Sequence, residues 1–263
     1  LKRALVRPPG ASFARAISSR NLPIDVALAQ AQHAEYCEAL AAAGVTVEVL
    51  PADDRYPDSC FMQDPAVVIR GRSVIGRMAA PSREGEEDAV AAALAGRFGL
   101  TRIVPPGTLE GGDVLALPDS IAVGLTGRTN RAGIAQLVVA LAAGEDPLMP
   151  VYSIPVDDYL HLLSAVTYAG RNTLIAVEEK YAGHPLFAGM DVIVPPAEEA
   201  YAVNTLGLGD SVIVPAGFPR VAVMLRDRGF EVLPVPVSEF AKADGGVTCL
   251  SLVWEESGSA IVR

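Results

Sequence analysis

The feature that most restricts this chain is an order of strand, strand, helix and strand that recurs along it. It is clearest after Thr205. There LGLGDSVIVPAG alternates as two short strands around a Gly-Asp turn, PRVAVMLRDRG has helical spacing, and FEVLPVPV is again extended. Gly229 closes the helical stretch, and a glycine just past the last turn is a common way to leave a helix. Three earlier stretches repeat the order. VVIRGRSVIGR turns at Gly71-Arg72, EGEEDAVAAALAGRFG is helical and LTRIVPP extended. DVLALPDSIAVGL turns at Pro118-Asp119 and leads into the helical RTNRAGIAQLVVALAAG and the extended PLMPVYSIPV. SAVTYAGRNTLIAV precedes a short or irregular helix and then DVIVPP. A fifth copy combines ALVRPP, the helix DVALAQAQHAEYCEALAAAG and the strand VTVEVLP near the N-terminal end.

Self-similarity at a fixed period marks repeated supersecondary units. Five copies with no linker between them use up both ends of the 263 residues. A closed ring of ββαβ units is therefore expected, built as a single domain over residues 1–263, with its strand starts around a central channel suited to a ligand. A doubly wound α/β sheet is the alternative. It calls for single strands separated by helices, and these strands come in pairs with turns between them.

The composition narrows the function. A formal charge of −10 argues against sequence-independent binding to nucleic acid, whose phosphates need a basic surface. The longest nearly apolar run, Ala132 to Gly144, is too short to span a bilayer. The opening Leu1-Lys2-Arg3 has no signal-peptide pattern, so a soluble cytoplasmic protein is expected. Cys37, Cys60 and Cys249, odd in number and widely spaced, do not form a disulfide framework, and reduced thiols fit the same compartment.

Few residues can carry acid–base or nucleophilic chemistry. His33, four residues before Cys37, shares a helix face with it, but two ligands do not make a metal site, and a half-exposed surface is the plainer reading. His184 lies in a loop before a proline. His161, in DYLHLL, is flanked by leucines that would partly desolvate it. Cys249 follows Gly245-Gly246 and precedes a strand-like run. A free thiol with a pKa of about 8.5 needs help to react at neutral pH. Glu110 stands at the mouth of a strand in EGGD, where a carboxylate can orient an imidazole. Asp58 and Asp64 sit among apolar residues in PDSCFMQD, which favours pairing with a cation. Arg83 and Arg128 lie in loops before two helices and can fork onto a carboxylate.

Taken in order, PDSCFMQD, APSREGE, EGGD, GLTGRTN, the LHL of DYLHLL, NTL, VIVPAGFPR and SEFAKADGGVTCLSL resemble the dimethylarginine dimethylaminohydrolases of the pentein, or guanidino-group modifying, superfamily. The resemblance spans nearly the whole chain. It implies an α/β fold, the five-fold pseudosymmetric ββαβ propeller called the pentein fold. It also implies hydrolysis of a methylated arginine to citrulline and dimethylamine, with neither metal nor organic cofactor. By that resemblance Cys249 is the nucleophile, His161 the acid/base and Glu110 the carboxylate that orients it. Asp64 would hold the guanidinium, Asp58 the α-amine, and Arg83 and Arg128 the α-carboxylate. Ile17 aligns with a loop whose backbone meets the α-amine.

Gln63 departs from the family, many of whose members carry Glu immediately before the guanidinium-binding Asp. As a substrate-binding position, Gln63 leaves room for unmethylated arginine (a deiminase) or for citrulline (a ureidohydrolase). A non-catalytic reading also exists, since the same fold occurs in a translation factor that keeps ribosomal subunits apart. The expected partner is a small arginine derivative, with no nucleic acid and no membrane, and a homodimer is the expected assembly.

Overall fold

The computed structural model describes residues 1–143 and 149–256. The chain runs through β1 (Lys2–Val6), α1 (Val26–Ala42) and β2 (Thr46–Val49). Next come β3 (Ala66–Ile69), β4 (Arg72–Ile75), α2 (Glu86–Leu94) and β5 (Gly99–Arg102). The third unit is β6 (Val114–Ala116), β7 (Ile121–Leu125), α3 (Arg131–Ala142) and β8 (Val151–Pro155). The fourth is β9 (Val166–Gly170), β10 (Thr173–Ala176), α4 (Glu179–Ala182) and β11 (Asp191–Ile193). The last is β12 (Leu206–Gly207), β13 (Ser211–Pro215), α5 (Pro219–Arg226) and β14 (Glu231–Val235), followed by α6 (Ser238–Lys242) and β15 (Ser251–Glu255).

These strands form five separate three-stranded sheets, which excludes a doubly wound sheet. In each, the first strand pairs antiparallel with the second, and the second pairs parallel with the third across the helix. The unit at the N-terminal end has its first strand at the other end of the chain. There β15 lies antiparallel to β1, Ser251 opposite Val6, and this pairing closes the ring. The five first strands β15, β3, β6, β9 and β12 surround a central channel, which holds a cavity of about 750 Å³ lined by stretches of all five.

Burial follows from the layering. The middle strand β13 is buried at every position, with the channel strand on one side and α5 packed beyond. On α2, Val90, Ala91 and Leu94 face Ile75 and Trp254, and each fully buried side chain of this size contributes about 1.5–3 kcal/mol. Asp25 caps α1 by accepting the Leu28 N–H, and Asn130 caps α3 by accepting that of Gly133 at 2.8 Å.

Three local readings shift. The β3–β4 hairpin turns at Arg70-Gly71, not at Gly71-Arg72, because both turn residues take positive φ (+47° and +73°), the pairing that suits a two-residue loop. His33 is not half-exposed. It is buried because α1 is packed by α6 and β14, and burial lowers its pKa to about 4. The extension of the third helix to Gly144 and the start of its strand at Pro147 lie outside the described residues.

Candidate active site

Repetition places the chemistry. Asp58 and Asp64 precede β3, Glu110 precedes β6, His161 precedes β9, Asn204 precedes β12 and Cys249 precedes β15. The loop into each channel strand thus delivers a polar or reactive side chain to the same end of the ring. Arg83 and Arg128 come from segments leading into α2 and α3. A cavity of about 240 Å³ opens there, lined by Ile17, Asp58, Asp64, Arg83, Arg128, His161 and Cys249 among others.

Glu110 lies behind this cavity and is fully buried. Its Oε2 is 3.0 Å from Nε2 of His161, and its Oε1 accepts the Ala79 N–H at 3.0 Å. Burial alone would lower the pKa of His161. The charge of Asp64 and the hydrogen bond with Glu110, then the charge of Asp113, outweigh it and raise the imidazole to about 9. Asp113 also fixes the histidine loop, because its Oδ1 accepts the Leu162 N–H at 3.0 Å.

Asp64 is held from two sides. The Arg83 Nη1 donates to Oδ2 at 2.8 Å, and the Gly112 N–H donates to Oδ1 at 3.2 Å. Burial pushes this carboxyl up, but His161 and Arg83 overcome that and leave it below its usual range. Asp58 accepts the backbone N–H of Ile17 at 3.1 Å, and burial raises its pKa in spite of Arg83. The loop around Ile17 is therefore tied to the pocket floor by a carboxylate.

Cys249 sits in a 3-10 turn, Val247–Leu250, with the Gly246 N–H pointing at its sulfur at 3.3 Å. Burial and the nearby Asp64 push the thiol up to about 11. Nη1 of Arg128 is buried with no hydrogen-bond partner, 3.6 Å from Glu110 Oε1. A buried guanidinium with an unsatisfied corner is prepared for an anionic ligand.

Asp64, Glu110 and His161 also form a group whose ligand atoms lie within 4.8 Å of one another, a spacing compatible with a metal ion. Arg83 already holds Asp64 and comes within 3.8 Å of Glu110, so a bound cation would have to compete with a guanidinium. The donor set fits an organic cation in that role at least as well.

A family model for arginine deiminase matches residues 54–184. A dimethylarginine dimethylaminohydrolase from Streptomyces coelicolor is 40% identical over 257 residues, covering 95% of this chain and 96% of that protein. One from Pseudomonas aeruginosa is 35% identical over 256 residues, covering 95% and 98%. The chain belongs to the dimethylarginine dimethylaminohydrolase family. The solved structure of the Pseudomonas aeruginosa dimethylarginine dimethylaminohydrolase, a cysteine-to-serine mutant complexed with citrulline, superposes with a TM-score of 0.91 at 32% identity, over 96% of this chain and 98% of that one. The five-sheet propeller is thus the fold of the dimethylarginine dimethylaminohydrolases.

Of the residues the sequence singles out, the fold gathers Cys249, His161, Asp58, Asp64, Arg83, Arg128 and Ile17 at one cavity, with Glu110 behind it. Gln63 is not among them. It lines the 750 Å³ cavity of the central channel instead, as do Gly111 and Thr248, the chain neighbours of Glu110 and Cys249. Its backbone N–H donates to the Cys249 carbonyl at 3.2 Å.

In this dimethylarginine dimethylaminohydrolase family member three supporting residues escape the sequence reading. Asn204 holds the nucleophile's turn by accepting the Thr248 N–H at 3.0 Å and donating to Thr248 Oγ1 and the Leu163 carbonyl. Its NTL motif marks it as a matching stretch but gives no role. Asp113 is the last residue of EGGD, and Glu86 looks like an ordinary acidic residue in the first turn of a helix.

Proposed function

We propose that this chain hydrolyses a methylated arginine, releasing citrulline and dimethylamine. The observation that carries the reading is the cavity itself, where a half-buried thiol, an imidazole with a raised pKa and a buried carboxylate converge in a family of dimethylargininases. Asp64 would release Arg83 and pair with the N–H groups of the incoming guanidinium, directing the guanidine carbon at Cys249. The substrate cation favours the thiolate, countering the burial that holds the thiol neutral.

Sulfur then bonds to the guanidine carbon. His161, as imidazolium, gives its proton to the nitrogen bearing the methyl groups, and the C–N bond breaks to release neutral dimethylamine. A thiouronium remains on Cys249. Neutral His161 takes a proton from water, the resulting hydroxide adds to the same carbon, and the C–S bond breaks as the adduct's hydroxyl proton passes to the departing sulfur, giving citrulline and the thiol. Positioned proton transfer of this kind contributes roughly 10²–10⁴-fold. Glu110 keeps the imidazole oriented throughout.

Arg83 and Arg128 would receive the α-carboxylate, and Asp58 with the Ile17 backbone the α-amine. We take residues 1–263 as one catalytic domain and the homodimer as the working assembly. Among the described residues no helix is long and apolar enough to cross a membrane, and all three cysteines are free, which suits a reducing cytoplasm.

A second reading, arginine deimination, is favoured by the family model matched over residues 54–184. Product identity separates the two. Asymmetric dimethylarginine should yield citrulline and dimethylamine, and release of ammonia from arginine at a higher kcat/KM would transfer the assignment to the deiminase.

A further inference from the structure

Arg83 is anchored along one edge only. Its Nε lies 3.2 and 3.1 Å from the two carboxylate oxygens of Glu86, and its Nη2 donates to Glu86 Oε2 at 2.9 Å. This is a forked, charge-assisted pair, and it leaves Nη1 as the corner that reaches the pocket. That corner donates to Asp64 Oδ2 at 2.8 Å, so an arginine of the protein stands on the carboxylate proposed to hold the guanidinium of the substrate.

Both partners are sealed from water, Glu86 at 1% exposure and Arg83 at 4%. An exposed acid at the start of a helix would be ordinary, whereas a carboxylate buried this deeply needs a dedicated partner. Burial also pushes the Glu86 carboxyl up to about 7, the Arg83 charge only partly opposing it. Without Glu86, the Nε/Nη2 edge of the Arg83 guanidinium would lose its anchor, and the corner needed for an α-carboxylate would turn away.

We propose that Glu86 is a positioning residue for substrate selection. It pins the Nε/Nη2 edge of Arg83, so that Nη1 stays free to pass from Asp64 to the substrate α-carboxylate. This rests on the reading of Arg83 as a carboxylate-binding residue, given above as part of the proposed function.

The test compares Glu86→Gln and Glu86→Asp with the unaltered enzyme on two substrates, asymmetric dimethylarginine and its decarboxylated analogue, dimethylagmatine. Alkylation of Cys249 by chloroacetamidine, a small amidine with no carboxylate, reports on the core site separately. For Glu86→Gln the KM for dimethylarginine should rise about tenfold or more, with kcat changed less than threefold and the KM for dimethylagmatine changed less than threefold. Glu86→Asp, which restores the charge on a shorter arm, should fall between, and it alone decides the matter if Glu86→Gln does not fold. Equal rises in KM for the two substrates, or no rise for either, would overturn the role of Glu86. Failure of chloroacetamidine to label Cys249 in the unaltered enzyme would instead count against the functional reading beneath it.

Discussion

Glu110 meets His161 through Nε2, at 3.0 Å and out of reach of water, which leaves Nδ1 facing Gly112. The pair sets both the orientation of the imidazole and much of its affinity for a proton.

Glu110→Gln removes the charge and keeps the shape. The His161 pKa should fall, because a contribution that raises it is lost while burial, which lowers it, stays. The imidazolium is the proton donor in the first half of the reaction, so activity at high pH should decline from a lower pH than in the unaltered enzyme. We expect kcat to drop roughly 100-fold, within the usual range for a disturbed acid–base group. A pH–rate profile with an unmoved alkaline limb would show that Glu110 does not tune His161.

Burial and the charge of Asp64 hold the Cys249 thiol neutral, raising its pKa to about 11. Iodoacetamide, which brings no charge, should therefore modify Cys249 slowly at pH 7 and progressively faster as pH rises toward 11. A cationic amidine reagent should label it readily at pH 7, since its charge stabilises the thiolate. Equal rates for the two reagents at pH 7, after correction for their reactivity with a free thiol, would contradict substrate-assisted ionisation.

A side chain at position 112 has no room. A Cβ there would lie 2.8 Å from both Asp64 Oδ1 and His161 Nδ1. Gly112→Ala should displace the carboxylate or the imidazole, lowering kcat/KM by about tenfold or more while the protein still folds. Thermal melting and steady-state kinetics measured together check this, and unchanged kinetics would show that the two side chains yield without consequence.

Asn204 bridges the nucleophile's turn to the Leu163 carbonyl in the histidine loop. Asn204→Ala strands a buried N–H and a buried carbonyl, each costing about 1–3 kcal/mol. The midpoint of denaturant unfolding should fall accordingly, and the pH dependence of Cys249 alkylation should shift down toward that of a free thiol as the turn loosens. A variant with unaltered stability would mean that water replaces the amide.

Much of this could be read from the chain because the fold repeats. The period exposes the ββαβ unit, and paired strands with glycine turns distinguish it from a doubly wound sheet. The ring's seam was less visible, because β1 and its partner β15 lie at opposite ends of the sequence. At the site, Cys249, His161 and Glu110 sit in motifs with a recognisable order. Glu86 and Asn204 also fall in matching stretches, APSREGE and NTL, but their roles were not legible, since each acts through a hydrogen bond to another side chain or a distant turn. Gln63 teaches the converse. It is the chain neighbour of Asp64, yet it lines the channel cavity and not the one that holds Cys249.

The central claim is that Cys249 attacks a guanidine carbon and carries it as a covalent intermediate. The direct measurement is intact-protein mass spectrometry of enzyme quenched in acid during turnover of asymmetric dimethylarginine, with peptide mapping of the adduct. The account predicts a mass increase equal to the substrate minus dimethylamine, mapped to Cys249 and absent in Cys249→Ser, which should also release no citrulline. Citrulline formation by Cys249→Ser at a substantial fraction of the normal rate, or an adduct on another residue, would contradict it.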